Sequence, residues 1–166
     1  MVCYNISELL SSKGKLFCFS NLQKRQRTSI LKECISSKVF YVVGKSKRHF
    51  LKRKTVYEEL LDVLKIKESV LKYAAERELS ESRLYRPLES LSSEKWRASI
   101  AIGLLSGKKY FLIPWLPKEI FHMYGKKWLN DLLIECRDKE ITVVVFSDIE
   151  AGDSFCFNYF ITNTWL

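Results

Sequence analysis

Four short apolar runs, each bounded by turn or helix signals, constrain this chain more than any other feature. They are Gly14–Ser20, Val39–Val43, Lys109–Ile113 and Ile141–Phe146. Each is rich in β-branched or aromatic residues and has few polar positions. A strand that must be apolar on both sides is one buried on both sides, which is the situation of a parallel sheet covered by helices. Helical periodicity lies between the runs. Arg27–Ser36 carries Ile30, Leu31 and Cys34 at helical spacing. Thr55-Val56-Tyr57-Glu58 has the form of a capping box, and a helix is predicted from there to about Ile66. Lys67–Leu79 is a second helical stretch, and Ser80–Leu88 reads as a connector ending near Pro87. Ser93-Glu94 opens a helix through Leu105, with Gly107 placed to terminate it. Tyr124–Arg137 carries Trp128, Leu129, Leu132, Leu133 and Cys136 on one face. Pro114 is predicted to end its strand, and the aromatic tail Phe155–Trp165 reads as a final strand. The order strand, helix, strand, helical insert, helix, strand, helix, strand implies an α/β fold with a mostly parallel sheet.

At 166 residues and 47% hydrophobic content the chain is long and apolar enough for one well-formed core. Its longest apolar runs, Tyr110–Leu116 and Ile141–Phe146, fall far short of the roughly 20 residues of a membrane span. No signal-peptide pattern opens the chain. Five cysteines, Cys3, Cys18, Cys34, Cys136 and Cys156, are widely spaced, and His49 and His122 stand alone. That arrangement suits buried thiols in a reducing compartment, with no metal site and no disulfide framework. The net charge of +9 is concentrated in Lys45–Lys54, KSKRHFLKRK. Such a run suits an anionic membrane surface, nucleic acid or an acidic partner.

The order and spacing of several segments resemble the ATPase domain of ABC transporters. Gly14-Lys15-Leu16-Phe17 is similar to the entry into the family's phosphate-binding strand. Val39–Val43 is similar to the strand before its glutamine loop, and Thr55–Glu58 to the opening of its helical subdomain. Glu94-Lys95-Trp96-Arg97 and Ala98–Leu105 resemble the signature helix. Ile141–Val145 resembles the strand before the switch histidine, with Asp148 at the following Asp. The resemblance covers about Gly14 to Ala151. It implies a P-loop-NTPase-like single domain over 1–166, with a helical subdomain inserted at 44–92. It also implies a reduced or missing N-terminal antiparallel sheet, and with it no base-stacking aromatic.

Within that resemblance the chemistry-bearing positions are changed. A phosphate loop needs glycines so that backbone N–H groups can wrap the phosphates, a Lys on the terminal phosphates, and a Ser or Thr on Mg²⁺. The matching stretch is Asn21-Leu22-Gln23-Lys24-Arg25-Gln26-Arg27-Thr28. Its glycines are gone, Arg27 stands at the Lys position, and only Thr28 is kept. The metal-holding Asp and the water-positioning Glu match Pro114 and Trp115. The switch histidine matches Ser147, the loop glutamine Gly44, and the signature Ser and glycines Leu91, Ser92 and Ser93. The last family Asp matches Phe121.

These changes imply a pseudo-ATPase with no catalytic residue, no cofactor and no metal. It would be a non-catalytic subunit pairing with an active ATPase, docking a permease, or both, held at the inner face of the membrane by its partner. The residues implied in partner docking are Gly44, His49, Phe50, Tyr57, Leu91, Trp115, Leu116 and Phe121. The region Gly44–Leu64 could meet a permease helix or anionic headgroups. Two other readings stay open: a basic nucleic-acid-binding or regulatory protein using Lys24–Arg27 and Lys45–Lys54, and a cryptic ATPase.

Overall fold

A computed structural model of the chain describes residues 6–49, 52–91, 94–125, 128–150 and 159–161. The chain divides into two compact units, residues 1–42 with 108–166, and residues 43–107.

The first unit is built on a five-stranded sheet. Its strands are β1 (Leu16–Ser20), β2 (Tyr41–Val42), β5 (Tyr110–Leu116), β6 (Thr142–Ser147) and β7 (Tyr159–Ile161). Their order is β2-β5-β6-β1-β7, and every pairing is parallel. The apolar runs therefore do what their composition requires. All five residues of β1 and all six of β6 are buried, on both faces of the sheet. One face carries Phe17, Phe19, Leu112, Val144 and Phe146. Leu9 from α1 (Ile6–Ser11) and Cys34 from α2 (Lys24–Ser36) pack there, with Ile30 and Leu31 at its margin. Phe19 and Phe146 stack in register with ring centroids 5.1 Å apart. Such a pair contributes about 0.5–1.5 kcal/mol beyond its buried area. From the segment between β5 and β6, α8 (Trp128–Asp138) buries Leu132, Leu133 and Cys136 and packs on β6. A short helix α7 (Lys118–Ile120) and a π-helical turn (Phe121–Gly125) precede it.

Two expectations need correction here. Pro114 does not end β5, which runs on to Leu116. Ile113 pairs with Val145 and Leu116 with Ser147, so β5 holds one more residue than β6 over that step. Pro has no N–H to give the ladder, and a bulge is where a strand can dispense with one. The helix predicted over Tyr124–Arg137 starts later, at Trp128, after the π-helical turn. Of the predicted tail strand, Tyr159–Ile161 forms β7, and the remainder lies outside the described residues.

The second unit holds a two-stranded antiparallel hairpin, β3 (Arg48–His49) and β4 (Lys52–Arg53), and helices α3 (Val56–Leu64), α4 (Lys67–Glu76), α5 (Glu81–Leu84) and α6 (Glu94–Leu105). A 3-10 turn (Leu88–Ser90) precedes α6. The capping box at Thr55 is formed in both directions. Thr55 Oγ1 accepts from the Glu58 N–H at 3.2 Å, and Glu58 accepts from the Thr55 N–H at 2.7 Å. That last bond, more than any other contact, holds the Glu58 carboxyl below the usual carboxylate range. At the other end of α3, Lys65 takes a left-handed conformation (φ 63°) that stops the helix. Gly107 does the same work after α6, at φ 67°. Val56, Leu60, Val70, Ala74, Leu84, Leu88, Trp96, Ile100 and Ile102 are buried in this unit. Among the described residues no helix is long and apolar enough to cross a membrane.

Cys18, Cys34 and Cys136 are buried thiols. Burial, with Glu33 beside it, pushes the Cys34 thiol up to about 11. At pH 8 its thiolate fraction is then about one in a thousand, and the thiolate is the reactive form. Iodoacetamide at pH 8 should leave Cys34 unlabelled in the folded chain and label it fully in denaturant, as read by peptide mass spectrometry. Native labelling at the denatured rate would contradict this burial.

Candidate functional site

In an open parallel sheet, ligands bind beyond the carboxyl ends of the strands. Here the ends of β1, β5 and β6 are joined by hydroxyls and backbone. Ser147 Oγ donates to the Leu116 carbonyl at 2.5 Å and accepts from the Ile149 N–H at 3.0 Å. Ser20 Oγ donates to the Ile149 carbonyl. The Asn21 N–H donates to the Ser147 carbonyl at 3.2 Å. Ser20 and Ser147 are buried, so these bonds also satisfy polar groups that water cannot reach. Asp148 accepts from the Lys118 N–H at 2.6 Å and fixes the start of α7.

Asn21 begins the loop after β1 at φ 54°, a left-handed conformation that Asn tolerates better than most residues. The chain then enters α2 at once. Gln23 is the N-cap, and Lys24, Arg25, Gln26, Arg27 and Thr28 are all helical. The Gln26 side chain accepts from the Gln23 N–H at 3.2 Å. The Arg27 N–H is spent on the Gln23 carbonyl at 3.0 Å. Thr28 Oγ1 donates back to the Lys24 carbonyl at 2.8 Å. The N–H of residue 27 and the hydroxyl of residue 28 are thus turned into the helix. No acidic residue lies in the first turn of α2, so Lys24, Arg25 and Arg27 stand at its positive end. Each such cation costs about 0.3–1 kcal/mol by the helix dipole. Arg27 finds compensation nearby: its guanidinium lies 4.4 Å from the centre of the Trp115 ring. Such a contact stabilises by about 0.5–1 kcal/mol at an exposed site. Trp115 sits on the bulge of β5 and is 38% exposed.

Leu91, Leu116 and Phe121 do not belong to a docking surface. All three are buried, Leu116 and Phe121 completely. Leu116 points inward because the bulge restores the strand's alternation after Trp115. Among the apolar candidates on β5 and the segment after it, Trp115 alone is exposed. In the second unit, Gly44 (φ 84°) donates its N–H to Ser99 Oγ at 2.8 Å, and a side chain added there would meet open space. Tyr57 is half-buried and stacks on the exposed Tyr85 at 5.3 Å. His49 lies in β3, paired with Lys52. Phe50, Ser92 and Ser93 lie outside the described residues. No group of His, Cys, Asp and Glu side chains gathers to hold a metal ion among the described residues.

A buried acid in this unit escaped the sequence reading. Glu59 is fully buried on α3, one turn from Val56 and beside Leu60. Its place three residues after Val56, on the apolar side of the helix, was the available signal. One oxygen accepts from the Lys47 N–H at 3.0 Å, and the other has no hydrogen bond among the described residues. Burial, opposed by that hydrogen bond and by the nearby Lys47 charge and Ser46, raises its pKa above the ordinary 4.5.

Solved structures similar in fold to this chain include ATP-binding subunits of ABC transporters. One such subunit is 13% identical, with 91% of this chain and 75% of that one covered and a TM-score of 0.63. An ABC transporter ATP-binding protein from Pyrococcus furiosus is 16% identical over 90% and 84% of the two chains, with a TM-score of 0.59. The protein cbiO1 from Clostridium perfringens, part of the ABC transporter complex cbiONQ, is 11% identical over 83% and 68%, with a TM-score of 0.51. The fold is that of an ABC transporter ATP-binding subunit. No family model matches the chain, and no curated protein does.

The raised pKa of Glu59 has a definite consequence. An acid whose folded value is raised binds its proton more tightly when folded. Its contribution to stability is fully present below the unfolded value near 4.5 and fades as pH rises through the folded value. Thermal melts of the wild type should therefore lose stability as pH climbs above about 4.5, relative to Glu59→Gln, which has no proton to release. Parallel melting curves for the two proteins across pH 5 to 8 would show that Glu59 carries no such linkage.

Proposed function

We propose that this chain is a non-catalytic, ATPase-like subunit of an ABC transporter complex. It pairs with an active ATPase subunit, docks a permease, or does both, and is held at the inner face of the membrane by that partner. The observation that carries the reading is the helical state of Lys24–Thr28. A phosphate loop works by leaving successive backbone N–H groups free to point at oxygens. In this chain the Arg27 N–H and the Thr28 hydroxyl bond back into α2. The position matched to the water-positioning Glu is Trp115, which covers Arg27 instead of carrying charge. No carboxylate follows Ile113 in β5, where the sequence continues Pro114-Trp115-Leu116.

Purified chain should show no ATP turnover above a buffer blank, with or without Mg²⁺. Calorimetric titration should give at most a weak signal that fades with added salt, as three cations at a helix end would produce. A saturable, Mg²⁺-dependent site of micromolar affinity, or turnover abolished by Thr28→Ala, would refute the proposal.

Trp115 is the candidate docking residue in the first unit, because it is large, aromatic and exposed. Trp115→Asp should leave the isolated chain folded, since the new carboxylate faces solvent and Arg27. It should weaken co-purification with a partner by several kcal/mol of lost association, by placing a charge in an apolar contact. Unfolding of the isolated variant would instead make Trp115 part of the core.

A further inference from the structure

We propose that the segment Gly44–Lys47 is a pH-sensitive strap, closed onto α3 by the Glu59 carboxyl and loosened when that carboxyl ionises. This inference does not depend on the ATPase-like reading. Its basis is how the segment is attached. Three of its N–H groups donate to side-chain oxygens on three different elements. Gly44 donates to Ser99 Oγ of α6 at 2.8 Å, Ser46 to Glu89 Oε1 of the 3-10 turn at 3.2 Å, and Lys47 to Glu59 Oε1 of α3 at 3.0 Å. Ser46 Oγ in turn accepts from the Leu88 N–H at 2.7 Å. Two of the three acceptors are carboxyl groups, so the attachment is open to titration. A ladder of backbone bonds carries no titratable group.

Glu59 is the group that makes the strap sensitive. It is fully buried, and its Oε2 has no hydrogen bond among the described residues. As a neutral acid it accepts from Lys47 and leaves no charge in the interior. As an ion it keeps that bond but buries a charge with one oxygen unsatisfied, which an interior opposes. Water reaches that oxygen only if part of its cover moves. The helices around it are held by their own backbone ladders and by buried apolar side chains such as Val56, Leu60 and Ile100. The strap is held by three side chains, and its Lys45 and Lys47 are exposed. It is therefore the part that opens most readily. Glu89 is in a different position, because it is partly exposed and ion-paired with Arg53. Water and a cation already serve its charge.

The surrounding charges fix the direction of the response. Burial favours the neutral form of Glu59, the Lys47 N–H and charge and Ser46 work against burial, and Glu89 works with it. No charge of greater weight than Glu89 reaches it from α4, α5 or α6, which also pack on α3. On the hairpin, Arg53 is held by Glu89 and Lys54 by Asp62. Glu58 and Asp62 lie below the ordinary carboxylate range, so both are ionised throughout the window above 4.5. His49 stands opposite Lys52, where loss of a positive charge removes a repulsion and tightens the hairpin, the opposite effect. With the strap open, Glu59 meets water and has its ordinary value near 4.5; with it closed, the value is raised. Opening is therefore constant below 4.5, grows by up to about tenfold per pH unit above it, and levels off beyond the closed-state value.

The test is hydrogen–deuterium exchange of the full chain from about pH 5 to pH 8, with each amide rate divided by its intrinsic rate at that pH. The Ser46 and Lys47 amides should open more often as pH rises, by up to about tenfold per unit until the response levels off. The amides of Ile100 and Ile102, buried on α6 in the same unit, should not follow. Glu59→Gln keeps an oxygen that accepts from Lys47 and has no proton to release, so its profile should be flat. Glu89→Gln should retain the pH response, because Glu59 is still present. A flat wild-type profile would overturn the proposal without any variant. So would an equal response at Ile100 and Ile102, which would make the event unfolding of the whole unit. A response that survives Glu59→Gln, or one that is lost in Glu89→Gln, would also overturn it.

Discussion

The pairing of β1 with β6 is the constraint on which the first unit depends. It runs unbroken from Leu16 opposite Val143 to Ser20 opposite Ser147, and every residue in it is buried. A one-residue slip would move Phe17 and Phe19 to the opposite face and separate the Phe19–Phe146 stack. It would also break the seam at the strand ends, where Ser147 reaches Leu116 and Asn21 reaches Ser147. The same register that fills the core therefore fixes where the loop after β1 leaves the sheet and where α2 begins.

That frame explains what could be read from sequence. The buried runs were legible because burial on both faces removes polar positions, and composition alone reports it. Thr55 and Gly107 were legible because a cap and a terminator are local chemistry. Pro114 misled because a proline ends most strands, and a bulge depends on the partner strand's count of residues. The fate of Leu116 and Phe121 followed from the same blind spot. Which side of a bulged strand faces inward is decided by register, and only the pairing with Ser147 sets it.

The basic run Lys45–Lys54 was visible, but its meaning was not. In the sequence it is a string of charges that could be a solvated loop. In the fold Arg48 lies opposite Arg53 across a hairpin, and Arg53 and Lys54 are ion-paired to Glu89 and Asp62, neither of which is near them in sequence. Glu59 is the counterpart. Its helical position put it on an apolar face, yet its partner, the Lys47 N–H, comes from a loop that no local rule ties to α3.

On the proposed reading, the altered loop after β1 has its own physical logic. A phosphate loop keeps glycines in left-handed conformations and leaves N–H groups unbonded, and both features cost stability when no phosphate is bound. In this chain Asn21 keeps a left-handed turn at φ 54°, where the chain must change direction after β1. The residues after it have non-glycine side chains and wind into helix. Gln23 and Gln26 bond each other's ends, and Arg27 lies over Trp115. Once the carboxylates at the end of β5 are gone, a nucleotide-ready loop confers nothing, and each of these contacts favours the helix over the cradle. The tryptophan and the wound helix are then linked changes. Trp115 on the β5 bulge gives Arg27 a surface to rest on at the helix end, where the dipole alone would oppose its charge.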